Sequence, residues 1–337
     1  MTSPYPDGYR SDQSETDWRP SIKLGLFTAY YEDMTLDEVC AFAADLGYEA
    51  VELACWHGSA HLDAERAASD PGYVKQVREA VSGHGLEIAC VSNHLDAQLV
   101  LGPYDRSTDD WAPVRGADEK LEFGVRRAKL AAQVASALEV PCVAGFVGSH
   151  VWGHWYNHDP RMVELYEEGW DLFAERWNPI LDTYREHGVR FALEVHPVQI
   201  AYNLETAARA IEALDGRPEF GFNFDPSHLV WQLIDPCVFV LEFGDRIYHA
   251  HAKDTELVKH GLARSGVLSG GDWGRIGRGV RFRCPGWGEV DWRALMTCFA
   301  EAGYDGHLVY EHEDPILEPR DAAEKCIDYL RPLVIRR

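Results

Sequence analysis

Cationic residues are in short supply: 32 lysines and arginines stand against 55 aspartates and glutamates, a formal net charge of -23. A field of that sign repels phosphate backbones, so nucleic acid is not an expected partner. Cysteine pairing is missing as well. The eight cysteines (Cys40, Cys55, Cys90, Cys142, Cys237, Cys284, Cys298 and Cys326) are scattered singly with no CxxC. Most sit in apolar runs, where a free thiol packs as a small hydrophobe, and the expectation is a reduced, cytoplasmic protein. No run approaches membrane-spanning length, and Met1 to Pro20 is polar and acidic, without the apolar centre of a signal peptide. Neither a P-loop nor an internal repeat is evident. Phosphate binding is therefore unsupported, although Arg275, Arg278, Arg281 and Arg283 could receive an anion as readily as balance charge.

What the chain does have is a repeated grammar of short apolar runs separated by helical periodicity. Ile22 to Phe27 reads as a first strand, Tyr48 to Cys55 as a second and Leu86 to Ser92 as a third. Thr35 with Glu38 forms a capping box, and Gly47 ends the helix that follows. Pro141 to Val147, Arg190 to Pro197, Phe220 to His228, Arg246 to Asp254 and Gly306 to Glu313 complete the set. Eight strands alternating with eight helices predict a (β/α)8 TIM barrel, an α/β fold forming one domain over 21–335 behind a flexible tail over 1–20. Long loops at 93–115, 148–160 and 255–289 all follow strands, on the face where barrels keep their chemistry.

Parallel strands end at one edge, so the residues closing these runs should meet. Glu194, Asp225, His251 and Glu311 are the expected metal ligands, with Glu313 a fallback for Glu311. Carboxylates with one imidazole make a hard to borderline set suited to Mn2+, with Co2+, Mg2+ or Zn2+ as alternatives. Taken alone, FDPSH reads as a capping aspartate followed by a surface histidine, and only its company turns it toward metal binding. His228 is either a fifth ligand or a substrate contact. His249 should lie deeper in the barrel, and Glu52 should face its centre, where a buried ion pair is the plain alternative. Lys253 and Asp254 could meet substrate or pair with each other. His94, His150 and His154 sit on the right loops, with Trp56, Trp152, Trp155, Trp273 and Trp287 as aromatic faces suited to sugar rings.

The segments LEVHP, FNFDPSH, HAHAKD, PGWGEVDW and YEHEDP together resemble the xylose isomerase-like TIM-barrel superfamily of sugar phosphate isomerases and epimerases, across about residues 21–335. The resemblance implies a divalent ion on Glu194, Asp225, His251 and Glu311, and removal and return of a proton beside a sugar carbonyl. In ketose 3-epimerases the two ligand glutamates act as acid and base, which here are Glu194 and Glu311. The long loop after the seventh strand departs from those smaller enzymes. It is similar to larger members acting on inositol-derived ketones and 3-oxo-glycosides, among them the catalytic subunits of C-glycoside deglycosidases. These open with C2 deprotonation and end in elimination, for which His150 is the candidate base. His94, His228, Lys253, Trp152 and Trp287 are the expected substrate contacts. A small carbohydrate or keto-sugar is the expected partner, with an oligomeric chain that could include a different subunit. A barrel that only binds is the remaining alternative and predicts a broken ligand set.

Overall fold

The computed structural model describes residues 22–151, 160–272 and 274–335. The tail expected over 1–20 lies outside these residues, as do Trp152, His154, Trp155 and Trp273. Eight parallel strands close into a barrel: β1 (Lys23–Phe27), β2 (Ala50–Ala54), β3 (Glu87–Ser92), β4 (Cys142–Gly145), β5 (Arg190–Glu194), β6 (Phe220–Phe224), β7 (Ile247–Ala252) and, last in the chain, β10 (His307–Tyr310). β1 closes the ring by pairing with both β2 and β10. The (β/α)8 expectation is met.

The local signals act as their chemistry predicts. Thr35 accepts from Glu38 N, while Glu38 takes the Thr35 amide at 2.8 Å. Gly47 then stops the helix Leu36–Leu46 at φ 86°, a left-handed conformation that glycine adopts without a Cβ clash. Asn203 and Asp291 cap the helices Leu204–Ala213 and Trp292–Ala302.

Strand alternation sorts the side chains. Phe220, Phe222 and Phe224 of β6 and Leu308 and Tyr310 of β10 turn outward and pack under the helices. Inside, small residues such as Ala50, Cys90, Cys142, Ala144 and Ala192 fill the barrel with Phe27 and Val309. Above them the same inward parity carries Glu52, Glu194, Asn223, His249 and His251, all buried. Burying so many polar groups is tolerable only where they satisfy one another or a ligand.

Two expectations need correction. The stretch 255–289 is not structureless: β8 (Asp254–Leu257) pairs antiparallel with β9 (Val280–Arg283), and a helix, Lys259–Ser265, lies between them. These strands are too short and too charged to show an apolar alternation, and cross-strand ion pairs hold them instead. Arg281 and Arg283 both meet Glu256, and Arg283 also meets buried Asp314 at 2.9 Å. Arg281 and Arg283 thus pair with carboxylates of the protein itself. The helix count also exceeds eight, because short helices such as His94–Gln98 and Pro226–Trp231 sit directly on strand exits. No described helix is long and apolar enough to cross a membrane.

Candidate metal centre

Glu194, Asp225, His251 and Glu311 each place a ligand atom within 4.8 Å of the others, and all four are buried. Glu194 ends β5, and His251 lies on β7 with inward parity. Asp225 follows β6 and Glu311 follows β10, so one rim of the barrel delivers the whole set. His251 Nδ1 stands 3.1 Å from Glu194 Oε2 and 3.2 Å from Glu311 Oε2. Donors about 2.1 Å from a common ion are separated from one another by roughly 3.0–3.4 Å, so these gaps suit a shared cation.

Asp225 does two things. Its Oδ1 accepts from Ser227 N at 2.8 Å and caps the helix Pro226–Trp231, with Pro226 at the first position. Its Oδ2 is buried and, among the described residues, makes no aligned hydrogen bond, though Lys253 Nζ lies 3.0 Å away and His228 Nε2 3.3 Å. The capping and ligand readings are thus compatible: one oxygen per role. An under-satisfied carboxylate oxygen facing three further donors is the observation that fits this set to a divalent ion.

Two of the donors, Glu194 and Glu311, are held ionised. Burial would raise the Glu194 pKa, but hydrogen bonds from His228, His251 and His94 keep it well below the ordinary range. Glu311 is likewise low: burial opposes ionisation, and the Lys253 and His251 charges overcome it. His251 runs the other way. Burial disfavours its imidazolium, yet Glu52 and Glu311 hold its pKa well above the usual imidazole value.

Around the donors the structure places the other expected residues. His228 is not on the surface; it is fully buried with Nε2 2.9 Å from Glu194 Oε1. His94, on the short helix after β3, reaches Glu194 Oε2 at 3.2 Å. Lys253 does not pair with Asp254; its ammonium sits 2.6 Å from Glu311 and 2.8 Å from Glu313. Asp254 instead accepts from Gly286 N, Val290 N and the Trp292 indole, tying the segment after β9 to the barrel. Glu313 therefore stands beside the donor set, on its lysine. His249 lies one layer deeper, 2.6 Å from Glu52 Oε2.

Two expected residues are exposed and, among the described residues, share no hydrogen bond with this group. His150 is exposed at the turn after β4, and no hydrogen bond among the described residues links it to the cluster. Its place in the sequence put it on the correct loop, but loop residues need not turn inward. Trp287 is 48% exposed and lies beneath the Arg283 guanidinium at 5.4 Å. Trp152 lies outside the described residues.

Other residues line the mouth without having been singled out. Tyr30 donates to Glu311 Oε1 at 3.0 Å. Half-buried His196 lies 4.1 Å from the His228 ring, and its Nδ1 accepts from Val198 N at 3.2 Å. Accepting there puts the proton of the neutral ring on Nε2. Burial, with His228 beside it, holds that ring's pKa well below the usual value. Phe282 on β9 meets the His228 ring edge-on at 5.1 Å and lies 4.7 Å from Lys253 Nζ. Tyr30 and Phe282 gave no sequence signal. His196 did, standing two residues after Glu194 with the same inward parity.

A closed parallel barrel whose rim gathers three carboxylates and an imidazole defines a TIM-barrel protein with a candidate metal centre. The chain belongs to the xylose isomerase-like TIM barrel family, whose profile matches residues 40–333. The uncharacterized protein YfiH of Bacillus subtilis is 23% identical over 323 residues, covering 93% of this chain and 99% of that one. An inosose dehydratase of Geobacillus thermodenitrificans is 26% identical over 266 residues, 77% of this chain and 81% of its own. Among solved structures, the 3-keto-D-glucoside 4-epimerase YcjR of E. coli shares the fold with a TM-score of 0.65 at 14% identity, covering 93% of this chain and all (100%) of that one. The IolI protein, solved with a zinc atom, does so at 0.63 and 17%, covering 93% and 96%.

Proposed function

We propose that the protein is a divalent-metal-dependent sugar isomerase or epimerase that removes a proton beside the carbonyl of a sugar or keto-sugar and returns it. The observation that carries this reading is the pair of ionised glutamates, Glu194 and Glu311, converging on His251 Nδ1 at 3.1 and 3.2 Å. An ion held by Glu194, Asp225, His251 and Glu311 would supply positive charge to a substrate oxygen and so acidify the neighbouring C–H. Mn2+ suits the oxygen-rich set best, with Co2+, Mg2+ and Zn2+ as alternatives.

The chain's own groups do the rest. Glu194 or Glu311 takes the proton and, now protonated, can return it to the same face. Return from the opposite face draws on an acid beside the other carboxylate, as the Lys253 ammonium stands beside Glu311. His196 Nε2–H and the Lys253 ammonium offer donors to substrate oxygens, while Phe282, Trp56 (6.2 Å from the His94 ring) and Phe146 (4.8 Å from His94 and 5.2 Å from His196) supply apolar walls about a polar floor. His150, exposed, has no part in this scheme. The inosose dehydratase and 3-keto-D-glucoside epimerase among the similar proteins support a keto-sugar or keto-cyclitol substrate.

A second reading is elimination. Lys253, set between Glu311 and Glu313, could protonate a leaving oxygen once the C–H proton is gone, which would make the protein a lyase on an inosose or a 3-oxo-glycoside. A barrel that only binds is disfavoured, since all four ligand positions carry competent donors.

Metal analysis of the wild type beside a Glu194→Gln/Asp225→Asn double variant tests the site, and incubation with keto-sugars in deuterated water tests the chemistry. One ion in the wild type alone, with deuterium entering recovered or epimerised ketose, is expected. Loss of water or release of an aglycone selects the lyase. Equal, negligible metal in both proteins sinks the catalytic reading.

A further inference from the structure

Below the donor set lies a second buried cluster, Glu52, His249 and His251, whose ligand atoms also fall within 4.8 Å of one another. It shares His251 with the first and has a different geometry. His249 Nε2 is 2.6 Å from Glu52 Oε2, closer than the roughly 3.0–3.4 Å that separates two donors on one ion. That contact is a direct hydrogen bond and leaves no place for a cation between the two groups.

What converges on Glu52 is a set of donors. His249 and His251 both approach Oε2 through Nε2, His251 at 3.1 Å, and Ser92 Oγ donates to Oε1. An ionised carboxylate only accepts, so the His251 proton must sit on Nε2, facing Glu52. The lone pair of the neutral ring is then on Nδ1, the atom that faces Glu194 and Glu311. Glu52 sits on β2 and His251 on β7, so the contact spans the barrel interior. Ser92 on β3 and His249 fix the carboxylate in turn, and all four residues are fully or almost fully buried.

We propose that Glu52 is a positioning residue for the metal centre: it selects the His251 tautomer and ring orientation that make Nδ1 the ion's nitrogen donor, with Ser92 and His249 holding Glu52 in place. This rests on the reading of Glu194, Asp225, His251 and Glu311 as a metal site. Glu52 itself touches neither ion nor substrate. Outer partners that orient a ligating histidine are commonly worth about 10–100-fold in metal affinity.

The test is a Co2+ titration of the chelator-stripped full chain, followed by visible absorption and by competition with a chelator. Wild type, Glu52→Gln, Glu52→Asp and Ser92→Ala are compared, with metal-free melting curves to check folding. One ion per chain is expected throughout. Affinity should fall about 10–100-fold in Glu52→Gln with an altered Co2+ spectrum, return partly in Glu52→Asp, and fall severalfold in Ser92→Ala. Wild-type affinity and spectrum in Glu52→Gln would overturn the proposal. So would two ions in the wild type falling to one in Glu52→Gln, since Glu52 would then be a ligand of its own site. If Glu52→Gln does not fold, Ser92→Ala decides: severalfold weakening supports the proposal and unchanged binding overturns it. No Co2+ binding by the wild type would instead remove the metal site itself, a failure distinct from the others.

Discussion

The Lys253 ammonium lies 2.6 Å from Glu311 Oε2, the same oxygen that approaches His251 Nδ1 at 3.2 Å. A side-chain cation and a metal ion would thus draw on one carboxylate atom. Unit charges about 4 Å apart interact by about 4 kcal/mol at an effective dielectric of about 20. Relief of even a quarter of that repulsion is worth about fivefold in binding. Lys253→Met should therefore bind Co2+ or Mn2+ at least about fivefold more tightly while losing turnover. Isothermal titration checks the first part, and weaker binding would show that the lysine supports the ion rather than competing with it.

Removal of one donor should cost more than removal of an outer partner. Glu194→Gln and Glu311→Gln are each expected to lose more than the about 10–100-fold in metal affinity typical of outer-sphere changes. Deuterium exchange into a keto-sugar substrate should fall with them. Retained exchange in a variant that has lost its ion would assign the chemistry to groups other than this centre.

Binding of the ion should release a proton. His251 is held well above the ordinary imidazole range in the metal-free protein, so it is protonated at neutral pH and must give up that proton to coordinate. Metal affinity should rise with pH across and beyond the usual imidazole range. Titrations in buffers of different ionisation enthalpy will count the protons, and none released at pH 7 would contradict the assignment.

Metal-free stability should have a maximum in mildly acid solution. Glu52 and Glu194 have lowered pKa values, despite the burial that opposes ionisation. Their contribution is full above the ordinary glutamate range and lost as pH falls. His251 has a raised value, so its contribution is full below the ordinary imidazole range and lost as pH rises through the raised one. Between about pH 4.5 and 6.5 these three are in place. His196 and His249, whose lowered values cost stability as pH falls below the ordinary imidazole range, put the maximum at the upper end of that window. Melting temperatures in chelator across pH 3–9 test this, and a monotonic rise to pH 9 would refute it.

The buried pair of Arg127 and Asp96 anchors the helix that carries His94. Arg127 Nε meets Asp96 at 2.7 Å, and its Nη2 donates to Cys55 O. Arg127→Ala leaves Asp96 buried without its charge partner and should cost about 3–5 kcal/mol in urea unfolding. A loss under about 1 kcal/mol would mean that water replaces the guanidinium.

The barrel was legible because its rules are local. Thr35 with Glu38, Gly47, Asn203 and Asp291 mark helix ends by hydrogen bonds made within a few residues, and inward parity on parallel strands carries Glu194, Asp225, His251 and Glu311 to one rim. Glu52 and His249 were readable by the same parity. The hairpin of β8 and β9 was not, because Glu256, Arg281 and Arg283 hold it through pairings some 25 residues apart, which no periodicity records. His150 marks the other limit. Its loop begins at the correct face, but the direction of a loop side chain is set by tertiary packing.

Asp225 divides its two oxygens between the helix cap and the ion's side of the site. A substitution there is therefore two experiments at once, and the replacement chosen decides which is read. Asparagine keeps a capping oxygen and forfeits the charge, whereas alanine forfeits both, a further loss of about 1 kcal/mol. The gap in folding stability between the two variants, measured without metal, isolates the architectural duty of this side chain. Any redesign of ion selectivity would do better to begin at Glu311, where no backbone amide among the described residues has a prior claim.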